Sequence, residues 1–239
     1  MMKNDESASE MTGLQRLVAI FSAPTKAFAS INRKPTFAFP IIFAICAVTA
    51  LQLLTLDVQL SDRLLELKAS GASEQRIAEG EATLAGPVKY LGIVLTPIIA
   101  PIIFAVLAWI YMVACNKYFG KKVAFNIIFS MVLWASMVAL VDLVPATWYA
   151  LTKGTLHGYA TDLSILLPTP ALGEGKSILY RFLAKFSIFT IWQLVLLIIG
   201  FAIAYGSTTA KASRPVLALW ALWIAISVPL GKLFEGLAM

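Results

Sequence analysis

Few side chains in this sequence could carry out chemistry, and they are far apart. His157 is the only histidine, so a zinc site would lack its usual ligands. Cys46 and Cys115 lie in or beside apolar runs without paired spacing, which indicates reduced packing residues. The segment 173–177, Gly-Glu-Gly-Lys-Ser, is too short for a phosphate-binding loop and is interpreted as a turn. We therefore expect no catalytic, metal or cofactor site, and no enzyme.

Asp142 is the acid within a long apolar run, and it has two interpretations. An acid inside a membrane can form a proton or ion site. Counting from Val123, however, Asp142 lies about 28 Å along a helix, near the far interface, with Pro145 next to the expected helix end. There it could form a structural ion pair with Arg181 or Lys185. Both interpretations remain open.

Four further positions are candidates for function within the membrane. Gln193, beside Trp192, lies about seven residues into an apolar run, where an unpaired amide would cost several kcal/mol. We expect it to form a hydrogen bond with another helix, as a structural or a ligand contact. Pro97 and Pro101 each remove a backbone donor and predict a kinked helix. Kinked helices line transport cavities but also occur in ordinary bundles.

The composition indicates a membrane protein. Apolar residues make up 59% of the 239 residues and charged residues 13%, with a mean hydropathy of +0.82, whereas soluble domains carry about 25% charged residues. The net charge of +6 does not indicate nucleic-acid binding, because the bases form short groups beside apolar runs.

Five runs are long enough to cross about 30 Å of hydrocarbon. They are residues 36–56, 90–113, 123–144, 186–205 and 215–234. The sequence therefore predicts an all-α bundle of five transmembrane helices within a membrane domain at 36–234.

The distribution of bases predicts the orientation of the bundle. With the amino terminus inside, the cytoplasmic segments contain ten bases and three acids, whereas the outer segments contain nine of each. The positive-inside rule then places the amino terminus in the cytoplasm and the carboxyl terminus outside. We expect the bacterial cytoplasmic (inner) membrane.

Residues 12–35 follow a disordered tail, predicted at 1–11, and carry apolar residues at helical spacing. The pattern predicts an amphipathic interfacial helix, broken at Pro24, whose bases Arg16, Lys26, Arg33 and Lys34 reach anionic head groups. The alternative is a helix packed against the inner face of the bundle.

The two long outer segments differ in character. Residues 57–89 continue a leucine stripe out of the membrane, break at Gly71 and resume after a possible N-cap at Ser73, which predicts a helical hairpin. The apolar stretch within residues 152–185, Leu-Ser-Ile-Leu-Leu at 163–167, is only five residues long, and the segment is predicted to lie at the interface. We expect the hairpin to bind a partner protein.

Several segments occur in the order typical of a known family. They are Ile-Phe-Ser-Ala-Pro-Thr-Lys-Ala-Phe at 20–28, Lys-Pro at 34–35, Tyr-Phe-Gly-Lys-Lys-Val-Ala-Phe at 118–125, the run 189–200, and Lys-Ala at 211–212. Together they resemble the Ypt/Rab-interacting protein (YIP) domain family, particularly its bacterial branch. The resemblance implies five membrane helices and a cytoplasmic amino terminus.

Eukaryotic members of that family are associated with small GTPases and vesicle formation. This sequence lacks their long amino-terminal region and their Asp-Leu-Tyr-Gly-Pro signature, so GTPase binding is not predicted. We expect a non-enzymatic scaffold or accessory subunit, in envelope transport or membrane remodelling, that contacts membrane lipid and a membrane or envelope protein through 57–89. The alternative is a small transporter or permease subunit with a polar pathway near Asp142. A lipid-modifying enzyme is a third, weaker class.

Overall fold

Four helices of the computed structural model are long and apolar enough to cross a membrane: Ala38–Ala69, Pro87–Phe119, Phe125–Lys153 and Thr209–Leu233. The structure describes residues 11–238, with side chains up to residue 233. In that part of the chain the regular structure is helical, without a β-strand, so the all-α part of the predicted fold class is confirmed. The predicted disordered tail at 1–11 lies, apart from Met11, outside the described residues.

Ten α-helices follow one another along the described chain. They are α1 (Gly13–Ser22), α2 (Pro24–Arg33), α3 (Ala38–Ala69), α4 (Glu74–Ala85), α5 (Leu91–Phe119), α6 (Phe125–Ala135), α7 (Val138–Lys153), α8 (Ile178–Leu183), α9 (Ile188–Ala204) and α10 (Thr209–Ala238). Two 3-10 helices, Pro87–Tyr90 and Leu163–Leu166, precede α5 and α8 respectively.

The predicted count of five spans is not confirmed. The predicted span 186–205 corresponds to α9, which has 17 residues. At 1.5 Å per residue this helix is about 26 Å long, less than the roughly 30 Å of a hydrocarbon core. It is apolar but shorter than the four candidate spans.

The third candidate span differs from its prediction at both its middle and its end. A turn at Ser136 and Met137 separates α6 from α7, where amides bond to carbonyls three residues earlier, as in Met137 N to Trp134 O at 3.2 Å. The predicted end near Pro145 is wrong, because α7 continues through that proline to Lys153. Packing of α7 against α3 outweighs the hydrogen bond that Pro145 removes.

The densest packing surrounds α6, where every residue from 131 to 138 is buried. Helices α1 and α2 complete this core, since α2 packs against both α6 and α9. The Phe28 ring lies against Gly200, where an added Cβ would come within 3.0 Å of it. Ile20, Phe28 and Ile31 are fully buried. The predicted interfacial helix at 12–35 is therefore not supported, because these apolar side chains contact protein.

Arg16, a charged residue of α1, is also buried in protein and not placed at the membrane surface as predicted. The sequence predicts that it reaches lipid head groups, but only 2% of its surface is exposed. Its Nε donates to Ser30 Oγ at 3.2 Å and its Nη1 to Thr36 Oγ1 at 2.6 Å. The Thr36 carbonyl accepts hydrogen bonds from Ser130 Oγ at 2.7 Å and Trp134 Nε1 at 3.0 Å. This network joins α1 and α2 to α6.

A helical hairpin, α3–α4, occupies the segment predicted to form one. Helix α3 runs unbroken from its apolar part to Ala69, and its 32 residues make it about 48 Å long. The chain turns at Gly71, whose φ is 71°, and Ser73 Oγ accepts a hydrogen bond from Arg76 N at 3.4 Å. Helix α4 packs along α3 but contains no buried residue.

Residues 154–187 form an irregular segment between α7 and α9. Ser187, at its end, forms an antiparallel β-bridge with Asp162. Gly173, with a φ of 78°, lies against the end of α3, where an added Cβ would come within 2.6 Å of Ala69 O and Ser70 N. The segment therefore extends from the start of α9 to the tip of the hairpin.

Candidate functional site

The carboxylate of Asp142 is held by hydroxyl groups of the irregular segment. Its Oδ1 accepts a hydrogen bond from Thr161 Oγ1 at 3.0 Å and one from Tyr159 OH at 3.3 Å. These donors reach Asp142 because the Asp162–Ser187 bridge holds the neighbouring backbone at the start of α9. A neutral hydroxyl pair can stabilise a carboxylate without a counter-charge, though less strongly than a cation.

The predicted ion pair between Asp142 and Arg181 or Lys185 is absent from the described structure. Arg181 lies beside Gly231 of α10, and Lys185 Nζ is 5.9 Å from the ring centroid of Trp223 in the same helix. Both bases thus lie against α10, and residues 159–161 occupy the space around the carboxylate. The competing contacts with α10 could not be read from sequence spacing.

Asp142 lies near the middle of the candidate span Phe125–Lys153 and not near its end. The predicted interface position was counted from the start of the span, and Asp142 lies 17 residues, or about 26 Å, after Phe125. The continuation of α7 removes only the supporting argument from a helix end at Pro145. The position of Asp142 near the outer interface therefore stays a prediction.

A cavity of about 200 Å³ lies next to Tyr159, which forms part of its wall. Its wall includes the charged or titratable residues Asp62, Glu66, His157, Glu174 and Lys176. Tyr159 is therefore shared between the cavity wall and the Asp142 site.

Asp62 on α3 anchors one wall of this cavity. Its carboxylate accepts a hydrogen bond from Thr155 Oγ1 at 2.7 Å and one from Leu156 N at 2.6 Å. Together with the contact of Gly173 on Ala69, these bonds join the irregular segment to the hairpin at two levels. The cavity lies between these two junctions, with the irregular segment on one side and α3 on the other.

A second, larger cavity of about 450 Å³ lies along the hairpin between α3 and α4. Leucines of the stripe line one side, and small or charged residues of α4 line the other; they are Leu60, Leu64 and Leu67 against Arg76, Glu79, Gly80 and Thr83. An added Cβ at Gly80 would lie 3.1 Å from Leu64. The α4 helix thus covers the leucine stripe incompletely.

The two adjacent candidates in α9 contact different neighbours. Gln193 Nε2 donates to Ser136 Oγ at 2.9 Å, and this bond joins α9 to the turn between α6 and α7, the kind of interhelical contact expected. The Trp192 ring packs edge-on against Phe21 of α1, with centroids 5.3 Å apart. Neither residue lines the cavity beside Tyr159.

Pro97 and Pro101 lie inside α5, which runs through both positions as one helix. In the most apolar part of this helix only 6% of the residues are buried. Ile98 and Ile102, beside the prolines, are more than half exposed. Neither proline lines a described cavity. The structure therefore does not bring them to Asp142.

Comparison with protein families gives a match over residues 18–230 to the model of the Yip1 domain. The chain belongs to the Yip1 domain family. Curated proteins and solved structures give no match. The Yip1 match includes α2 to α9, the hairpin and the Asp142 site. Together with the apolar helices it identifies an integral membrane protein.

Sequence reasoning missed several polar partners in this Yip1 domain. Tyr159, Thr161 and Ser136 carry no motif, and their roles come from contacts between distant segments. The sequence shows Asp62 only as one of the outer charges, although both of its carboxylate oxygens are engaged. Among the described residues, no group of three or more His, Cys, Asp or Glu could hold a metal ion.

Proposed function

We propose that this protein is a non-enzymatic membrane scaffold or accessory subunit that binds a partner protein through the α3–α4 hairpin. The observation that carries the proposal is that α4 contains no buried residue, although the chain devotes 12 residues to it. A helix that adds nothing to the core and is too polar for lipid is suited to contact another protein.

The chemistry of the exposed hairpin surface indicates the kind of partner. Glu74, Glu79 and Glu81 are exposed on α4, beside the partly covered leucine stripe of α3. Apolar area bordered by charge is the usual composition of a protein interface. We infer a membrane or envelope protein that presents an apolar patch with bases at its edge.

The proposed setting is the bacterial cytoplasmic membrane, within envelope transport or membrane remodelling. Five crossings, with the amino terminus in the cytoplasm, agree with the balance of charges. Single cysteines at the exposed positions Lys121 and Glu79, in a background lacking Cys46 and Cys115, should label from opposite sides. Labelling from one side would contradict this topology.

The docking proposal can be tested without disturbing the Asp142 site. Residues 73–85 are replaced by a Gly-Ser linker of equal length, which removes α4 but keeps Asp62 and the α3 tip. We expect normal insertion and loss of the stoichiometric partner from gently solubilised native membranes. A photocrosslinker at Gln75 should form an adduct of defined mass, whereas one at the exposed Lys122 should not.

An unchanged complex in the linker variant would overturn the docking role of the hairpin. Insertion is checked by protease protection, so that a failure to fold is not mistaken for a loss of binding.

A second candidate function, a small transporter or permease subunit, is favoured by the position of Asp142. The acid lies mid-helix, and one of its two hydroxyl partners also lines a cavity. A pH-dependent solute flux in reconstituted vesicles that disappears in Asp142→Asn, with the fold intact, would support this function. Unchanged flux in that variant would contradict it.

A further inference from the structure

Helix α9 is too short to cross the bilayer, and one of its ends is fixed. At that end, Lys121 Nζ donates to Tyr205 O at 2.6 Å and Tyr205 OH donates to Asn116 Oδ1 at 2.8 Å. These bonds hold the end of α9 level with the turn between α5 and α6. Its 17 residues, about 26 Å long, must therefore begin at Ile188 within the hydrocarbon region if that turn lies at the membrane surface.

Contacts with two spanning helices show how deep the start of α9 is. The ring of Phe186 packs against Trp220, near the middle of the candidate span Thr209–Leu233, with centroids 5.1 Å apart. On the other side, Thr161 bonds to Asp142, near the middle of Phe125–Lys153. The paired backbone around the Asp162–Ser187 bridge is thus level with the midpoint of both helices.

The non-helical backbone at this level has its own hydrogen bonds. Leu163 N donates to Phe186 O at 3.3 Å, and Ile188 N donates to Thr161 O at 3.4 Å. The Asp162 carboxylate accepts from Ser164 N at 2.9 Å. Irregular backbone at membrane depth requires this kind of internal pairing, since lipid offers no partner.

The outward surface of the segment is apolar. Ile165 is 68% exposed, Leu166 is 74% exposed and Phe182 is 41% exposed. Polar groups lie on the opposite side, where Tyr159 and Thr161 bind Asp142. Lys185 is accommodated over the Trp223 ring. Such a surface, at the depth of two spanning helices, fits lipid acyl chains.

We propose that residues 161–166 and 182–187, joined by the Asp162–Ser187 bridge, form a re-entrant structure that enters the lipid leaflet on the hairpin side and completes the crossing begun by α9. The residues between these two stretches return to the hairpin, where Gly173 contacts Ala69. The apolar surface of the re-entrant structure contacts acyl chains, and on its polar surface Thr161 binds the Asp142 carboxylate. This position is deeper than the interfacial one predicted for 152–185. The inference is independent of any partner bound by the hairpin.

Spin labels at single cysteines in phosphatidylcholine–phosphatidylglycerol vesicles measure this depth. Power saturation compares the accessibility of each label to oxygen, which partitions into lipid, and to a water-soluble nickel chelate. Labels at the exposed positions Val88, just before α5, and Ile102, within it, calibrate the scale from the helix end to its middle. We expect the oxygen-to-nickel ratio at Leu166 to match Ile102 and to exceed that at Val88 and Ile178 several-fold.

A charge scan gives a second measurement. Leu166→Arg should lower the yield of folded protein several-fold, because arginine at this depth is costly. Leu65→Arg, at a residue 51% exposed on the hairpin, should leave the yield unchanged. A Leu166 label with the ratio of Val88, or a normal yield of the Leu166→Arg variant, would show that the segment lies at the interface and would overturn the proposal.

Discussion

The two ends of this bundle are built in different ways. At the end formed by α1, α2, α6 and the second half of α9, here named the N-terminal half, even an arginine is buried, since Arg16 is 2% exposed. At the end formed by the α3–α4 hairpin and residues 154–187, here named the hairpin half, α4 has no buried residue and two cavities remain.

This contrast separates residues that hold the fold from residues available for function. In the N-terminal half, Phe28 packs against Gly200 and the buried Trp134 ring stacks on Phe39, so a change of one methyl group would be felt. In the hairpin half, the junctions are few and specific, and the surfaces between them are open. We therefore expect substitutions to affect stability mainly in the first half and association or transport mainly in the second.

The largest expected effect is in the N-terminal half. Trp134→Ala removes a fully buried ring and its hydrogen bond to the Thr36 carbonyl, and should lower the free energy of unfolding by about 3–5 kcal/mol. The matched control is Trp148→Ala, because Trp148 is 69% exposed in the structure. Unfolding in mixed micelles measures both. Equal losses would remove the contrast between the halves.

A smaller effect is expected at the junction of the irregular segment with the hairpin. Gly173→Ala combines a left-handed φ with a clash on Ala69 O, and should cost about 1–3 kcal/mol and release the segment from α3. Gly154→Ala is the control, since its φ is also positive but no atom lies within 4 Å of an added Cβ. The readout is proteolysis of residues 154–187. Equal cleavage of the two variants would contradict a specific junction.

Helix positions followed from the sequence wherever one physical rule decided them. Length and hydropathy locate the four long spans, and Gly71 with Ser73 predicts the turn and cap of the hairpin. The predicted end of α7 is wrong because it treats Pro145 as a terminator, whereas tertiary packing against α3 carries the helix past it. Local rules do not include such packing.

The candidate site was only partly predictable. Asp142 and Gln193 could be identified because a polar group in an apolar run needs a partner. Their partners Thr161, Tyr159 and Ser136 could not, because each comes from a segment 17 to 57 residues away. Amphipathicity likewise indicated that residues 12–35 have an apolar face, but not whether lipid or protein covers it.

A modest effect is expected where the two halves meet. Gln193→Leu removes the hydrogen bond to Ser136 and should cost about 0.6–2 kcal/mol, the range for bonds between membrane helices. Gln52→Leu is the control, because Gln52 Oε1 is buried without a hydrogen-bond partner and its removal should not destabilise. If Gln193→Leu keeps full stability but loses solute flux or partner association, Gln193 contacts a ligand and is not a structural residue.

The smallest effect is expected on the surface of the hairpin half. Lys68 Nζ and Glu81 Oε1 are 2.7 Å apart, but their side chains are 46% and 54% exposed, so solvent screens the pair and a double-mutant cycle should give a coupling of about 0–1 kcal/mol. If the hairpin is a docking surface, Glu81→Ala should weaken partner association while leaving unfolding unchanged, and Lys68→Ala should change neither strongly. A coupling well above this range would mean that the hairpin charges stabilise the fold. In that case the hairpin half would also depend on buried-type interactions for its stability, and the contrast with the N-terminal half would fail. A loss of partner association in Glu81→Ala could then result from a weakened fold and would not test docking.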